Sequence, residues 1–226
     1  MKTFALASLL VLFVMAPQAR AQTPFEGTAT WSMTIPQMDD EKHEMTINMK
    51  GDKVETEIDL GAQGGVKTYI DREKKKIYVA MSAMKSGWVL DFPNDSLVKA
   101  KTGDIDLKTT GQKATIAGHP AEEYILHTKK ADISLWMSGD FPKEIRDAFH
   151  RSMTSQPGQD PGAARAMQQL ADKGLVPVKM IVKNGEEIAT TMELVKVESK
   201  KLDDSIFVTP KDITFSPMPA GMGGMN

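Results

Sequence analysis

The sequence contains no cysteine. A chain without cysteine forms no disulfide framework, has no thiol nucleophile and cannot build a zinc site of the cysteine type. It also lacks the cysteine that carries the lipid of a bacterial lipoprotein. The fold must therefore be stabilised by burial of apolar surface and by backbone hydrogen bonds alone.

Motifs of catalysis are also missing. No serine lies in a Gly-x-Ser-x-Gly elbow, no H-x-H or H-E-x-x-H spacing occurs, and no glycine-rich phosphate loop is present. Adjacent acidic residues such as Glu122 and Glu123 would point to opposite faces of a strand, so they do not form an acid–base pair. We therefore expect no catalytic residues, no metal site of these types, no cofactor and no enzyme activity. The histidines are scattered, at His43, His119, His127 and His150.

An excess of positive charge is absent, since 28 Lys and Arg stand against 30 Asp and Glu, for a formal net charge of −2 at pH 7. Nucleic-acid-binding domains favour a basic surface. We therefore expect no nucleic acid partner.

Long apolar runs are limited to residues 4–16, which follow Lys2 and precede the small-residue site Ala19-Arg20-Ala21. This order is typical of a secretory signal peptide. The run is too short for a membrane-spanning helix, which needs about 20 residues. We expect residues 1–21 to be removed, leaving no transmembrane segment, and the mature chain to be periplasmic or secreted.

The region after the signal peptide has the period of two that is typical of half-buried strands. Ala29, Trp31 and Met33 alternate with threonine and serine, and the same alternation recurs along much of the chain. Gly51-Asp52 and Asn184-Gly185 predict hairpin turns between such segments. A further turn is predicted over residues 110–113 and a strand over 205–208.

Helical spacing of apolar residues occurs in two places, residues 143–153 and 163–173, separated by a loop over 155–162 that is rich in Pro, Gly and Gln. We find no linker or long repeat. The pattern predicts a mainly β (α+β) domain over 22–216, with an antiparallel sheet and helices on one side. The composition of residues 217–226, rich in Met, Gly and Pro, predicts a flexible Met/Gly tail.

Three stretches, residues 110–124, 132–140 and 202–211, resemble a group of secreted bacterial proteins known only as a domain of unknown function. They begin Thr110-Gly-Gln-Lys-Ala-Thr-Ile, Asp132-Ile-Ser-Leu-Trp-Met and Leu202-Asp-Asp-Ser-Ile-Phe. That group is similar to the lipoprotein-carrier half-barrels of the bacterial periplasm. The resemblance extends over most of the mature chain.

The resemblance implies a curled antiparallel sheet, or half-barrel, with one or two helices covering its concave face and an apolar hollow between them. It supplies no catalytic residues. In lipoprotein carriers an arginine in the hollow is tied to lipid release. No motif here matches that arginine, which argues against active transfer of lipoproteins.

Methionine is abundant, with 16 residues. Its flexible, polarizable side chain fills irregular gaps in cores and lines adaptable apolar surfaces, so the methionines indicate either core filling or a ligand hollow. Met33, Met45 and Met49 lie at the alternating apolar positions of the first strands, as Trp31 does. The candidate pocket residues are Trp31, Met33, Met45, Met49 and Trp136.

The tail methionines Met218, Met222 and Met225 lie where no core needs them. Thioethers are soft ligands that favour Cu(I), so copper capture by the tail is one interpretation and low-complexity drift is the other.

The sequence favours a non-enzymatic periplasmic binding or carrier protein with an apolar pocket for a lipid or other hydrophobic small molecule. Two alternatives stay open. One is a structural or protein-interaction module of the cell envelope without a small ligand, and the other is copper sequestration by the tail. The ligand and the oligomeric state are left undetermined.

Overall fold

The structure is a computed structural model that describes residues 24–38, 41–61, 64–91, 106–128, 131–153 and 161–218. The expected signal peptide and the tail beyond residue 218 lie outside these described residues. No helix within the described ranges has the length and apolar character needed to cross a membrane.

The described residues form twelve strands and two α-helices. The strands are β1 Glu26–Thr34, β2 Lys42–Lys50, β3 Lys53–Asp59, β4 Gly65–Asp71, β5 Lys76–Met81, β6 Ser86–Asp91, β7 Asp106–Ile116, β8 His119–His127, β9 Asp132–Ser138, β10 Val176–Asn184, β11 Glu187–Ser199 and β12 Thr214–Pro217. The helices are α1 Lys143–Met153 and α2 Pro161–Asp172.

All strands belong to one open sheet, in the order β12-β6-β5-β4-β3-β2-β1-β11-β10-β9-β8-β7. Neighbouring strands run antiparallel, except that β12 pairs with β6 in parallel. Near the middle of the sheet β1 pairs with β11, which brings together two strands that are far apart in sequence. The predicted mainly β, curled antiparallel half-barrel is confirmed.

The alternation seen in the sequence separates the two faces of this sheet. Ala29 and Trp31 of β1 lie opposite Ile47 and Met45 of β2. We call the face that carries these residues the inner face, because α1 packs on it, and the opposite one the outer face.

Two predicted hairpins are confirmed. Gly51 joins β2 to β3 with a φ of 59°, and Gly185 follows β10 with a φ of 66°. Backbone in this left-handed region favours glycine, which has no Cβ to clash.

The turn predicted over residues 110–113 is wrong, because β7 continues through it. The amide of Gly111 donates to Thr109 Oγ1 at 3.2 Å. This local bond accompanies a shift of register between Thr109 and Lys113, so the segment forms an irregularity within the strand. The chain instead reverses at Ala117-Gly118, with φ values of 50° and 82°.

Both helices lie close to their predicted positions. α1 has the predicted bounds, whereas α2 begins at Pro161, inside the predicted loop. Proline is well suited to a first helical position, because its fixed φ is helical and its missing N–H would have had no partner there. Residues 155–160 of that predicted loop lie outside the described residues.

Two apolar clusters hold the helices on the sheet. The first joins β1–β3 to α1 and continues through Val176 and Val178 to β7 and β8. The second joins β8 and β9 to α2, with Ala166 and Leu170 of the helix fully buried. The inner face is therefore covered by α1 on one side and α2 on the other.

Residues 200–217, which we call the C-terminal strap, cross the outer face. At its start, the amide of Leu202 donates to Glu26 Oε1 at 2.6 Å. At its end, the ring of Phe215 packs edge-on against Tyr78, with centroids 5.4 Å apart. The strap therefore contacts β1 at its start and both β5 and β6 at its end, on the outer face and the edge of the sheet.

The strand predicted over 205–208 is wrong, because this part of the strap is a 3₁₀ turn over Asp204–Phe207. The Asp203 carboxylate accepts a hydrogen bond from the amide of Ser205 at 2.8 Å. Such capping satisfies an amide at the start of a helical turn and competes with extended backbone.

We expect Gly87→Ala to lower the free energy of unfolding by about 1–3 kcal/mol, the usual cost of overpacking. A Cβ on Gly87 would lie 2.5 Å from the Val79 carbonyl oxygen and 2.7 Å from the Phe215 ring. The matched control is Gly139→Ala, whose Cβ would meet only Leu175 Cδ2, at 3.6 Å. Urea denaturation measures the free energy of unfolding of both variants. Equal losses would contradict a tight contact of Gly87 with Val79 and Phe215.

Candidate functional site

Four of the predicted pocket residues lie together on the inner face. Trp31, Met33, Met45 and Met49 are 4%, 6%, 5% and 1% exposed. Phe149 of α1 packs edge-on against Trp31, with ring centroids 6.3 Å apart. The structure therefore brings these side chains together, and α1 closes over this part of the sheet.

One polar atom stands out in that apolar wall. The indole Nε1 of Trp31 is buried and has no hydrogen-bond partner among the described residues. Buried donors are paired in most proteins. The buried indole N–H of Trp31 is thus a polar group whose desolvation is not offset by a hydrogen bond within the described residues.

Trp136 lies further along the sheet than the other four, on β9, which is separated from β1 by β11 and β10. It alternates with Leu135 and Met137, which pack against α2, and its direct neighbours across the sheet are Glu123 and Lys179. Trp136 is half-buried against the first cluster, on the side of β9 that faces away from α2.

Open space for a ligand lies elsewhere, in a cleft of about 470 Å³ between β7–β9 and Leu175, which lies between α2 and β10. We call it the edge cleft. Sites for small molecules typically measure about 300–1,000 Å³. The residues that line it are Lys113, Ala114, Thr115, Pro120, Ala121, Glu122, Tyr124, Met137, Gly139 and Leu175.

A second cavity lies between α1 and α2 but measures only about 10 Å³. This is about the volume that one water molecule requires. Of these two spaces, the edge cleft is therefore the one that can accept an organic molecule.

The lining of the edge cleft is apolar at its base and polar at one side. Met137 and Ala121 are 2% and 6% exposed and belong to the two apolar clusters. Lys113 lies opposite Glu122 in the register, and Glu122 accepts a hydrogen bond from Thr109 Oγ1 at 2.8 Å. The arrangement suits a molecule with an apolar body and a polar end.

Tyr124 supplies the phenol of the cleft. Burial raises the pKa of Tyr124, and the nearby Glu122 carboxylate raises it further. The phenol is therefore neutral at physiological pH and acts as a hydrogen-bonding group.

An arginine holds the end of α1 against the sheet. Arg72, in the turn after β4, donates from Nη2 to the backbone oxygen of Arg151 at 2.6 Å. Burial lowers the pKa of Arg72, while the carboxylate of Asp52 raises it. Sequence reasoning missed this contact, because Asp71-Arg72-Glu73-Lys74 has the composition of any polar turn.

The histidines have acceptor partners of their own. His127 Nδ1 lies 2.7 Å from Asp132 Oδ1. The ring of His119 stacks on Phe141, and its Nδ1 lies 3.2 Å from the backbone oxygen of Asp140. His150 of α1 contacts Gln168 of α2 at 2.9 Å. Within the described ranges, no three histidine or acidic side chains are grouped to hold a metal ion.

The tail is described only at its start. The amide of Met218 donates to the Val89 oxygen at 3.4 Å, which extends the β12–β6 pairing. Met222 and Met225 lie outside the described residues, so copper capture by the tail stays a prediction.

The comparison with protein families identifies the class. The family model named Domain of unknown function (DUF4412) matches residues 25–213, so the chain belongs to this family. The resemblance to a family of unknown function is confirmed. No curated protein matches the chain.

Solved structures match the chain at low sequence identity. An uncharacterised conserved protein from Thermus thermophilus matches with a TM-score of 0.54 and 10% identity, covering 87% of this chain and 92% of that one. A LolA superfamily protein from Nitrosomonas europaea gives a TM-score of 0.34 with 11% identity, over 84% of this chain and 91% of that one. A putative outer membrane lipoprotein-sorting protein domain from Vibrio parahaemolyticus gives 0.36 with 10% identity, over 81% and 89%. The Thermus likeness supports the fold alone.

Proposed function

We propose that this chain is a non-enzymatic binding or carrier protein of the periplasm that holds a lipid or another hydrophobic small molecule in the edge cleft. The observation that carries the proposal is the cleft itself, about 470 Å³ of open space over an apolar base. The signal-peptide pattern of residues 1–21 supports export.

The lining favours an amphiphilic ligand over a purely polar one. Met137 and Leu175 offer adaptable and branched apolar surface, and Tyr124 adds an aromatic ring with a neutral hydroxyl. Lys113 and Glu122 would lie beside the polar end of such a ligand.

We expect Thr115→Trp to weaken uptake of a fluorescent fatty acid by at least about tenfold, equivalent to about 1.4 kcal/mol of binding free energy. Thr115 is an exposed residue of β7 that lines the cleft, so an indole there would occupy the ligand space without disturbing the core. Fluorescence titration of the mature protein measures the dissociation constant.

The matched control is Gln112→Trp, which places the same side chain at an exposed position of the same strand outside the cleft lining. It should bind the probe like the unaltered protein. If both variants bind equally well, the ligand site is not the edge cleft. If the unaltered protein takes up no probe at micromolar concentration, the carrier function is rejected.

A second candidate is an interaction module of the cell envelope without a small ligand. The burial of Trp31, Met45 and Met49 in the first apolar cluster favours it, because core side chains occupy that part of the inner face. Native mass spectrometry of freshly purified protein separates the two. Bound lipid supports the carrier, whereas a bare chain associated with a protein partner supports the module.

A further inference from the structure

A row of sulfur and imidazole side chains crosses four adjacent strands. His43 of β2 lies opposite Met33 of β1, Met33 lies opposite Met192 of β11, and Met192 lies opposite Met180 of β10. Residues directly opposite one another in antiparallel strands have Cβ atoms about 4.5–5.5 Å apart. We call these four residues the methionine row.

The methionine row lies on the inner face. Met33 lies two residues from Trp31 on β1, and residues opposite one another in paired strands share a face, so all four residues lie on the face of Trp31. His43 and Met33 are 7% and 6% exposed. Met192 and Met180 are half-buried, so the row runs from a buried end at His43 to a partly exposed end at Met180.

The surroundings of the row are apolar. On the same face, two residues along each strand, lie Trp31 beside Met33, Met45 beside His43 and Leu194 beside Met192. Thioether sulfur and imidazole nitrogen are soft and borderline donors that select Cu(I), whereas calcium and magnesium require oxygen donors. The donor set and its setting thus point to one class of metal ion.

We propose that the methionine row binds a Cu(I) ion through the His43 imidazole and the thioethers of Met33 and Met192, with Met180 as the next donor along the row. This site is separate from the edge cleft and from the tail methionines. It involves no redox step, because the ion binds and leaves as Cu(I).

The test is a competition titration of the full-length mature chain with Cu(I) and bicinchoninate. Met33→Leu and Met192→Leu conserve side-chain volume but remove the sulfur. Each should weaken Cu(I) binding by at least about tenfold, the scale of losing part of a metal site. Met49→Leu, a buried methionine of β2 outside the row, is the matched control and should bind like the unaltered chain.

Methyl NMR adds a readout that is independent of affinity. With Ag(I) as a stable substitute for Cu(I), the methionine methyl signals of Met33 and Met192 should shift, while that of Met49 should not. A full-length variant with all three tail methionines changed to leucine should still bind. The proposal is overturned if the chain does not compete with bicinchoninate, if the row variants bind like Met49→Leu, or if only the tail variant loses binding.

Discussion

Phe149→Ala should lower the free energy of unfolding by about 3–5 kcal/mol, the usual cost of removing a buried aromatic side chain from a core. Phe149 is 1% exposed and contacts two other rings, Trp31 at 6.3 Å and Phe141 at 6.2 Å between centroids. It is the main apolar anchor of α1 on the inner face. Its loss removes burial and two aromatic contacts at once.

Urea denaturation of the mature protein measures this loss, and Met84→Ala is its control. Met84 is 65% exposed, so its truncation should change the free energy of unfolding by less than about 0.5 kcal/mol. A second variant, Phe149→Leu, keeps part of the apolar volume and should fall between the two. A loss for Phe149→Ala no larger than that for Met84→Ala would show that α1 does not depend on this ring.

The strands of the first half could be predicted because one face of the sheet is buried and the other is polar. In β2, Met45, Ile47 and Met49 are buried while the residues between them are more exposed, which reproduces the alternation in the sequence. Local signals also sufficed for α1, whose apolar spacing needs no knowledge of the rest of the fold. These predictions depend only on neighbours within a few residues.

The arrangement of the strands could not be predicted, because it depends on contacts far apart in sequence. β1 pairs with β11, so Met33 meets Met192 only through the register of the folded sheet. The edge cleft is similar, since Leu175 follows α2 whereas Thr115 belongs to β7. The predicted pocket residues Trp31, Met33, Met45 and Met49 do share a face, but no local pattern indicates how closely α1 covers them.

The alternation also fails at Glu55 of β3, because a polar residue of the outer face should be exposed and this one is buried. Glu55 of β3 is 1% exposed. One carboxyl oxygen accepts a hydrogen bond from Asn48 Nδ2 at 2.7 Å, and the other lies 3.9 Å from Lys67 Nζ. The 3₁₀ turn of the C-terminal strap packs over this strand.

Burial raises the pKa of Glu55 above its ordinary value of 4.5, while the Asn48 hydrogen bond and the Lys67 charge oppose this shift. The folded state therefore binds the Glu55 proton more tightly than the unfolded state does. By linkage, the contribution of Glu55 to stability is greatest below pH 4.5 and decreases as the pH rises through the folded-state pKa.

We therefore expect Glu55→Gln to become more stable relative to the unaltered protein as the pH rises from below 4.5 to neutrality. Glutamine keeps an oxygen for Asn48 and never has to hold a buried charge, and Lys67 retains Glu57 at 2.9 Å. Urea denaturation at several pH values measures the unfolding free energy of Glu55→Gln and of the unaltered protein. The contributions of the other carboxyl groups cancel in the difference between the two.

Two variants show whether the buried charge is the cause. Glu55→Ala also removes the titrating carboxyl group, so it should show the same pH trend as Glu55→Gln. It should be less stable than Glu55→Gln by about 1–3 kcal/mol at each pH, because the Asn48 amide loses its acceptor. Glu57→Gln changes a more exposed carboxylate of the same strand and should not reproduce the pH trend of Glu55→Gln. If Glu55→Gln differs from the unaltered protein by the same free energy at all pH values, the Glu55 carboxyl group titrates alike in the folded and unfolded states. The contribution of Glu55 to the stability of the protein would then not depend on pH.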